Sequence, residues 1–345
     1  MIATHGTQKS EPALWKLALA FAIVYLSWGT TYFAIKEGVK TLPPALFAGP
    51  RLAIAGAILL GWLVLRGESL RLTWSELGRL SLSAAAMFMG GNWLITLGEK
   101  TVDSGVASVL VATTPLFMAI MELLCPWGER LTWKGWLGLL SGMVGVVILL
   151  GPKLDHPTQL LEDLGPLLVL GSAFCWALGS LILRYGRQRT SVFVAAGYQM
   201  LVGGLGLTAI GIALGEVQQL TREALTVEAV TAFFYLLVVG SLLGFVAYAW
   251  LLANVSAAMA GTYAYVNPLV AIFVGWLLGG EEITVWILTG MAVILGGVAL
   301  VRSGGVRPRP ARPSDAEASA DEPGQSRLPQ KTKRLLDAQI KTAAS

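Results

Sequence analysis

Charge is scarce in this sequence: Asp, Glu, Lys and Arg make up 13% of its 345 residues, about half the roughly 25% of an ordinary soluble domain. Histidine is scarcer, with His5 near the start and His156 in a polar break between apolar runs. A histidine-based catalytic or metal centre inside the apolar runs is thereby excluded. Cys125 and Cys175 stand alone without a CxxC spacing, so neither a zinc site nor a disulfide framework is indicated. No phosphate-binding P-loop occurs, which excludes nucleotide hydrolysis by that route. The net charge of +4 comes from loops and tail and forms no basic stripe with interleaved aromatics, so it carries no nucleic-acid signal.

What is abundant is apolar surface: 55% of the residues are hydrophobic and the mean hydropathy is +0.66. Runs of about 20 apolar residues, enough to cross about 30 Å of hydrocarbon, follow one another with short polar breaks. They fall at 14–35, 46–65, 77–98, 104–124, 134–151, 164–183, 192–214, 229–252, 258–279 and 285–301. The first is too long for a signal-peptide core and lacks a small-residue cleavage site, so it reads as a retained helix. The expected class is an all-α polytopic membrane protein.

The stretch from Ser104 to Thr132 recurs from Ser256 to Thr284: small residues, a polar residue before proline, an apolar run, then Gly-Glu and Thr. Pro115 matches Pro268, and Glu129 matches Glu281. The earlier parts correspond more loosely, with Trp28 on Trp176, Lys36 on Arg184, Arg51 on Gln199 and Gly56 on Gly204. A repeat of this length makes the chain two versions of one unit. Five helices is an odd number, so the second unit must enter the membrane from the opposite side, giving ten transmembrane helices as two inverted five-helix repeats. Lys and Arg gather on the expected cytoplasmic side, Arg66, Arg71 and Arg79 in one loop and Arg184, Arg187 and Arg189 in another, as the positive-inside rule requires. The expected boundaries are a cytoplasmic N-terminus at 1–13, repeats at 14–151 and 164–302, an external linker at 152–163, and a disordered cytoplasmic tail at 303–345. Residues 331–341 read as solvated tail or as a short amphipathic helix on anionic lipid.

The residues YLSWGTTYFAIKEG at 25–38, PPALFAGPRLAIAG at 43–56, VDSGVASVLVATTPLF at 102–117, GERLTWKGWLGLLSGMVGVV at 128–147 and TYAYVNPLVAIFVGWLLGGEEIT at 262–284 resemble the EamA branch of the drug/metabolite transporter superfamily, and most nearly its YedA-like members. The resemblance implies a ten-helix inverted-repeat transporter of the bacterial inner membrane with both termini cytoplasmic. It also implies a central cavity lined by helices 1, 3, 4, 6, 8 and 9, with helices 5 and 10 standing away from it. Inverted repeats in general place the substrate near the midplane, where irregular backbone is tolerated beside a cavity.

Candidate site residues follow from the polar and aromatic groups inside the spans. Pro115 and Pro268 each remove an amide donor and free a carbonyl one turn earlier, at Val111 and Ala264; each is a packing kink or a source of an acceptor. Thr114 and Asn267, just before the prolines, answer local backbone or a substrate, and Tyr263 lies one turn from Asn267. Trp28 and Tyr32, with Tyr25, form an aromatic stripe on helix 1, either packing or cavity lining, and Trp176 is the repeat partner of Trp28. Asn92 follows Gly90-Gly91, and its amide in hydrocarbon requires a partner. Tyr248 and Trp250 lie on different faces of helix 8, so at most one faces the lumen. Arg51, two turns into helix 2, is expected to snorkel or to pair, with Glu37 as a candidate partner. Glu99 is a gate or a helix-end pair, and Glu122 reaches the interface. Glu129 and Glu281 precede new helices and are expected to cap them, worth about 0.3–1 kcal/mol each. Gly135, Gly138, Gly142, Gly145, Gly290, Gly296 and Gly297 on helices 5 and 10 read as packing surfaces, within the chain or in a homodimer.

An aromatic and amide-lined cavity with little formal charge suits small neutral or zwitterionic metabolites such as amino acids, exported by alternating access. No carboxylate sits centrally in helix 1, so proton coupling is not legible there. No cofactor, metal or nucleic acid is called for; the expected partners are a small metabolite, membrane lipid and a second copy of the chain. The competing class, a membrane-embedded enzyme or scaffold, would need a nucleophile with a base, a metal cluster or a folded soluble part.

Overall fold

The computed structural model describes residues 13–124, 130–154, 164–184, 190–255, 262–303 and 306–307. His5, Cys125, Glu129, His156, Arg187, Arg189 and the 331–341 stretch lie outside the described residues. Ten apolar helices run through the described residues: α1 (Leu14–Val39), α2 (Pro44–Leu65), α3 (Trp74–Gly98), α4 (Ser104–Leu124), α5 (Trp133–Leu154), α6 (Gly165–Arg184), α7 (Val192–Ala213), α8 (227–254), α9 (Tyr263–Gly279) and α10 (Val285–Arg302). The first eight contain stretches long and apolar enough to span a bilayer, and Tyr263–Gly279 and Val285–Val301 are shorter apolar helices. Leu137, Leu140, Met143 and Val144 of α5 and Phe273 and Trp276 of α9 are exposed, as expected of surfaces that face lipid tails.

Helix starts are fixed by local chemistry. Pro44 opens α2, where its missing N–H costs nothing. Thr73 and Glu76 form a capping box on α3, and Ser191, Thr226 and Thr284 accept from the first turns of α7, α8 and α10. Helix α4 breaks at residues 112–113 just ahead of Pro115. There the hydroxyls of Thr113 and Thr114 donate to the carbonyls of Leu110 and Val111 at 2.6 Å each. Thr114 thus answers its own backbone: the Val111 carbonyl that proline cannot serve is taken by the neighbouring hydroxyl.

The helices pair across the two halves. Along α2 and α7, Gly49 meets Gly204 and Gly56 meets Gly197, so one helix ascends as the other descends. A Cβ on Gly49 would lie 3.0 Å from the Gly204 carbonyl oxygen, and one on Gly56 2.8 Å from that of Gly197, so backbone rests on backbone. Helices α5 and α10 repeat the arrangement: a Cβ on Gly138 would stand 2.5 Å from the Gly297 oxygen, and one on Gly145 3.1 Å from that of Gly290. Corresponding helices of the two repeats are therefore antiparallel neighbours, which is the inverted arrangement. Gly138, Gly145, Gly290 and Gly297 serve this contact inside the chain, whereas Gly142 faces Leu116 of α4 and Gly296 has open space around it. Helix α1 packs on α8 and α9, and α6 packs on α3 and α4, the same relation exchanged between halves.

A two-residue antiparallel ladder, Arg130–Leu131 with Val306–Arg307, departs from an all-helical reading. It ties the start of the tail, expected to be structureless from Ser303, to the turn before α5.

Candidate functional site

Two helices lose regular α-geometry at equivalent places. In α3 the stretch Ala85–Asn92 is π-helical, and in α8 so is Leu236–Leu243. A π turn widens the helix and loosens its carbonyls, and such segments concentrate at functional sites. Two side chains, one from α1 and one from α2, use them. Trp28 of α1 donates its indole N–H to the Gly240 carbonyl at 3.1 Å. Arg51 of α2 reaches the Ser241 hydroxyl at 3.4 Å and the Asn92 side-chain oxygen at 3.1 Å. Its guanidinium therefore bridges the two π segments and lies 6.0 Å from the Phe47 ring.

Around this bridge is an aromatic wall. Trp28 meets Tyr263 edge-on at 4.9 Å, Tyr248 at 5.0 Å and Phe245 at 5.2 Å between ring centroids, and Tyr248 and Tyr263 meet at 5.5 Å. Phe245 continues to Phe88 at 5.7 Å, which packs on Trp176 at 5.9 Å. The two repeat-related tryptophans thus belong to one aromatic array. Tyr25 bonds Thr262 at 2.6 Å between hydroxyls, one turn from that array. Tyr248 meets Trp28 directly, and Trp250 packs on the same cluster, which also holds Ala20, Val24 and Leu251. Asn267 is 4% exposed and its side-chain oxygen has no hydrogen-bond partner. Tyr32 is buried and within electrostatic reach of Tyr263 and Glu99.

Charge is arranged differently from the sequence expectation. Arg51 is 4% exposed and neither snorkels nor meets Glu37, which takes Lys40 at 2.6 Å instead. Its hydrogen bonds go to neutral groups, and its Nε has none. The repeat-equivalent residue Gln199 donates to Ser83 at 2.9 Å, so the cation belongs to one half only. Glu122, near the end of α4, is buried and accepts from Arg184, the half-exposed last residue of α6, at 2.6 Å.

Glu99 follows Gly98, where the α3 span ends, and has no exposed surface. Neither carboxyl oxygen has a hydrogen-bond partner, so it forms no direct pair with Arg51. Burial pushes this carboxyl well above the usual carboxylate range, against the charge of Lys36 and with the help of Glu281. The Lys36 backbone N–H, which lies too far off or at too poor an angle to be a hydrogen bond, and the Arg51 charge also oppose the shift. Nearby, Lys36 donates to the Val102 carbonyl at 2.8 Å and to Asp103 at 3.0 Å. A vestibule of about 340 Å³ opens at this end of the bundle, lined by Lys36, Lys40, Asp103, Glu281 and Glu282 among others.

Glu281 does cap a helix, but not the one it precedes. Its two oxygens accept from the amides of Ser104 and Gly105 at 2.8 and 3.0 Å, at the start of α4 in the other half. Gly280, at φ +65°, ends α9 in the left-handed conformation and sends Glu281 backward, leaving Thr284 to cap α10. Gly275 leaves room for this carboxylate, since any Cβ there would collide with it.

The structure therefore brings Trp28, Trp176, Tyr248 and Tyr263 into one array, places Asn92 on Arg51, and leaves Thr114 on its own backbone. The sequence reading missed Phe88, Phe245, Ser241, Lys36 and Asp103. The signal for Ser241 was available, since it lies in the stretch that repeats Ala85–Asn92. Among the described residues no group of three or more His, Cys, Asp or Glu is placed to hold a metal.

Ten apolar helices in two antiparallel-related sets, meeting at loosened helices that carry buried polar groups, define a membrane carrier of the inverted-repeat type. The chain belongs to the EamA-like transporter family, whose model matches residues 15–151 and again 163–303. It is 35% identical to the uncharacterized inner membrane transporter YedA of Escherichia coli K12, over 83% of this chain and 90% of that protein. It is 26% identical to the uncharacterized transporter YoaV of Bacillus subtilis 168, over 82% and 95% respectively. A crystal structure of 20% sequence identity covers 83% of this chain and 97% of its own at a TM-score of 0.59, a likeness of fold.

Proposed function

We propose that this chain is a secondary or facilitative exporter of small neutral or zwitterionic metabolites, with amino acids as the leading class, and that it works by alternating access. The observation that carries this reading is Arg51: a buried guanidinium held by Asn92 and Ser241, both neutral, with a free Nε. Glu99 lies within electrostatic reach of this cation but makes no direct ion pair with it. A buried guanidinium held only by neutral groups is costly, and a substrate carboxylate would supply a direct partner. The Trp28, Tyr248 and Tyr263 rings, next to the same π segment, suit an ammonium or an apolar side chain. Asn267, with its unanswered oxygen, adds a hydrogen-bond acceptor. Rocking of the two halves about this site would expose it to either side, the end states differing by only a few kcal/mol.

The inner membrane is the expected location, with both termini cytoplasmic. The test is a counterflow screen in proteoliposomes with purified protein and a panel of amino acids and related metabolites. Flux of a carboxylate-bearing substrate is expected, and Asn267→Ala and Trp176→Ala should abolish it while the protein stays folded by gel filtration. Unchanged flux in both variants would remove the site assignment, and absence of counterflow for every compound would remove the transport reading.

A further inference from the structure

We propose that Glu99 is a proton-binding site that sets a gate at the vestibule, deepening the transport reading above by naming a coupling ion. The gate is the turn between α3 and α4. It is strapped from one side by Lys36 of α1, which holds the Val102 carbonyl and Asp103. From the other side Glu281, beyond α9, holds the first amides of α4. Behind the straps sits Glu99, fully buried, with both oxygens unpartnered.

An ionised carboxylate in that position would be a buried charge whose two facing cations, Lys36 and Arg51, are bonded to other groups, whereas a carboxylic acid is tolerated. The groups that face it account for the response to its proton. From α1 come Lys36 and Tyr32, from α2 Arg51, from beyond α9 Glu281, and from the turn itself Asp103. Helix α6 meets the neighbouring Gly98 with Gly165 and Val169, and neither titrates. Lys36 is the nearest mobile cation and already serves Asp103. When Glu99 holds its proton, Lys36 remains on Asp103 and the turn is shut. When the proton leaves to water in the vestibule, the new carboxylate draws the Lys36 ammonium from Asp103, one strap is released, and water enters. The exchange moves one proton and leaves Lys36 charged throughout. The vestibule reaches Lys36, Asp103 and Glu281 directly, which gives the proton its route.

The experiment uses the full chain in nanodiscs and needs no substrate, so it stands or falls apart from the counterflow screen. Infrared spectra taken across a pH series should show a protonated carboxyl in the wild type at neutral pH that disappears as pH rises and is missing in Glu99→Gln. The gate is read with Ser104→Cys in a Cys125→Ser, Cys175→Ser background, labelled by a membrane-impermeant maleimide. Ser104 is buried and lies behind the straps. Labelling should climb several-fold with pH beyond the rise from thiol ionisation, which the same protein carrying Glu99→Gln measures. Glu99→Asp should keep the climb. A wild type without the carboxyl signal, or equal labelling slopes with and without Glu99, would overturn the proposal.

Discussion

Trp28 donates to a carbonyl in a widened helical turn, and that single bond joins the first helix to the loosened segment of the eighth. Replacing it by phenylalanine keeps most of the ring contacts with Phe245, Tyr248 and Tyr263 but leaves the Gly240 carbonyl without its donor. An unanswered buried acceptor costs about 1–3 kcal/mol, so Trp28→Phe is expected to lower the unfolding temperature of the detergent-solubilised protein. A wild-type midpoint would show that the carbonyl finds another donor. Glu99 offers a second measurement at this scale. A carboxyl whose folded value is raised retains its proton where the unfolded chain has lost it, so stability falls as pH climbs from the usual carboxylate range through the raised value. The wild type should show this decline in an unfolding series against pH, and Glu99→Gln should flatten it; parallel slopes would assign the decline to other groups.

Among the elements, the pairs α2–α7 and α5–α10 hold the halves together through glycines that only work in twos. Gly49 and Gly204 mirror Gly56 and Gly197, as Gly138 and Gly297 mirror Gly145 and Gly290. Gly56→Leu would drive a side chain into the backbone of Gly197 and Leu201, an overpacking of the kind that costs about 1–3 kcal/mol or more. Gly61→Leu, on the same helix with open space around it, should be tolerated. Expression and monodispersity of the two variants side by side check this, and equal behaviour would mean α2 and α7 do not meet backbone to backbone. The helices themselves were legible in the sequence because each is one long apolar run with a cap or proline at its edge. The inverted relation was legible in the duplicated Pro-to-Thr stretch. The π segments were not, since residues 85–92 and 236–243 look like any small-residue helix, and the side chains that bond to them come from α1 and α2. Nor could spacing reveal that Glu281 crosses to α4 or that Arg51 passes Glu37 for Asn92. Helical periodicity ranks neighbours within one helix, and these partners come from other helices and loops.

At the scale of the whole molecule, the distribution of charge orients the bundle. The end that carries the C-terminus of α2 and the start of α3 presents Arg66, Arg71 and Arg79, while the opposite end presents the vestibule with Asp103, Glu281 and Glu282 beside Lys36 and Lys40. Positively charged loops are retained on the cytoplasmic side, so the vestibule should face outward and the arginine end inward. Because α2 and α7 are antiparallel, the assignment of one end fixes the other for both halves. Cysteines introduced singly at Glu282 and Arg71, in a background without Cys125 and Cys175, make this testable in intact cells. Glu282→Cys should react with an impermeant maleimide from outside, and Arg71→Cys only after the membrane is opened. The reversed pattern would turn the bundle over, placing the Glu99 gate on the cytoplasmic side and making proton release there the step that admits substrate from the cell. Labelling of both sites from outside would contradict the placement of the two positions at opposite ends of α3, Arg71 ahead of its start and Glu282 next to the Glu281 that holds the amides of Ser104 and Gly105 beyond its end.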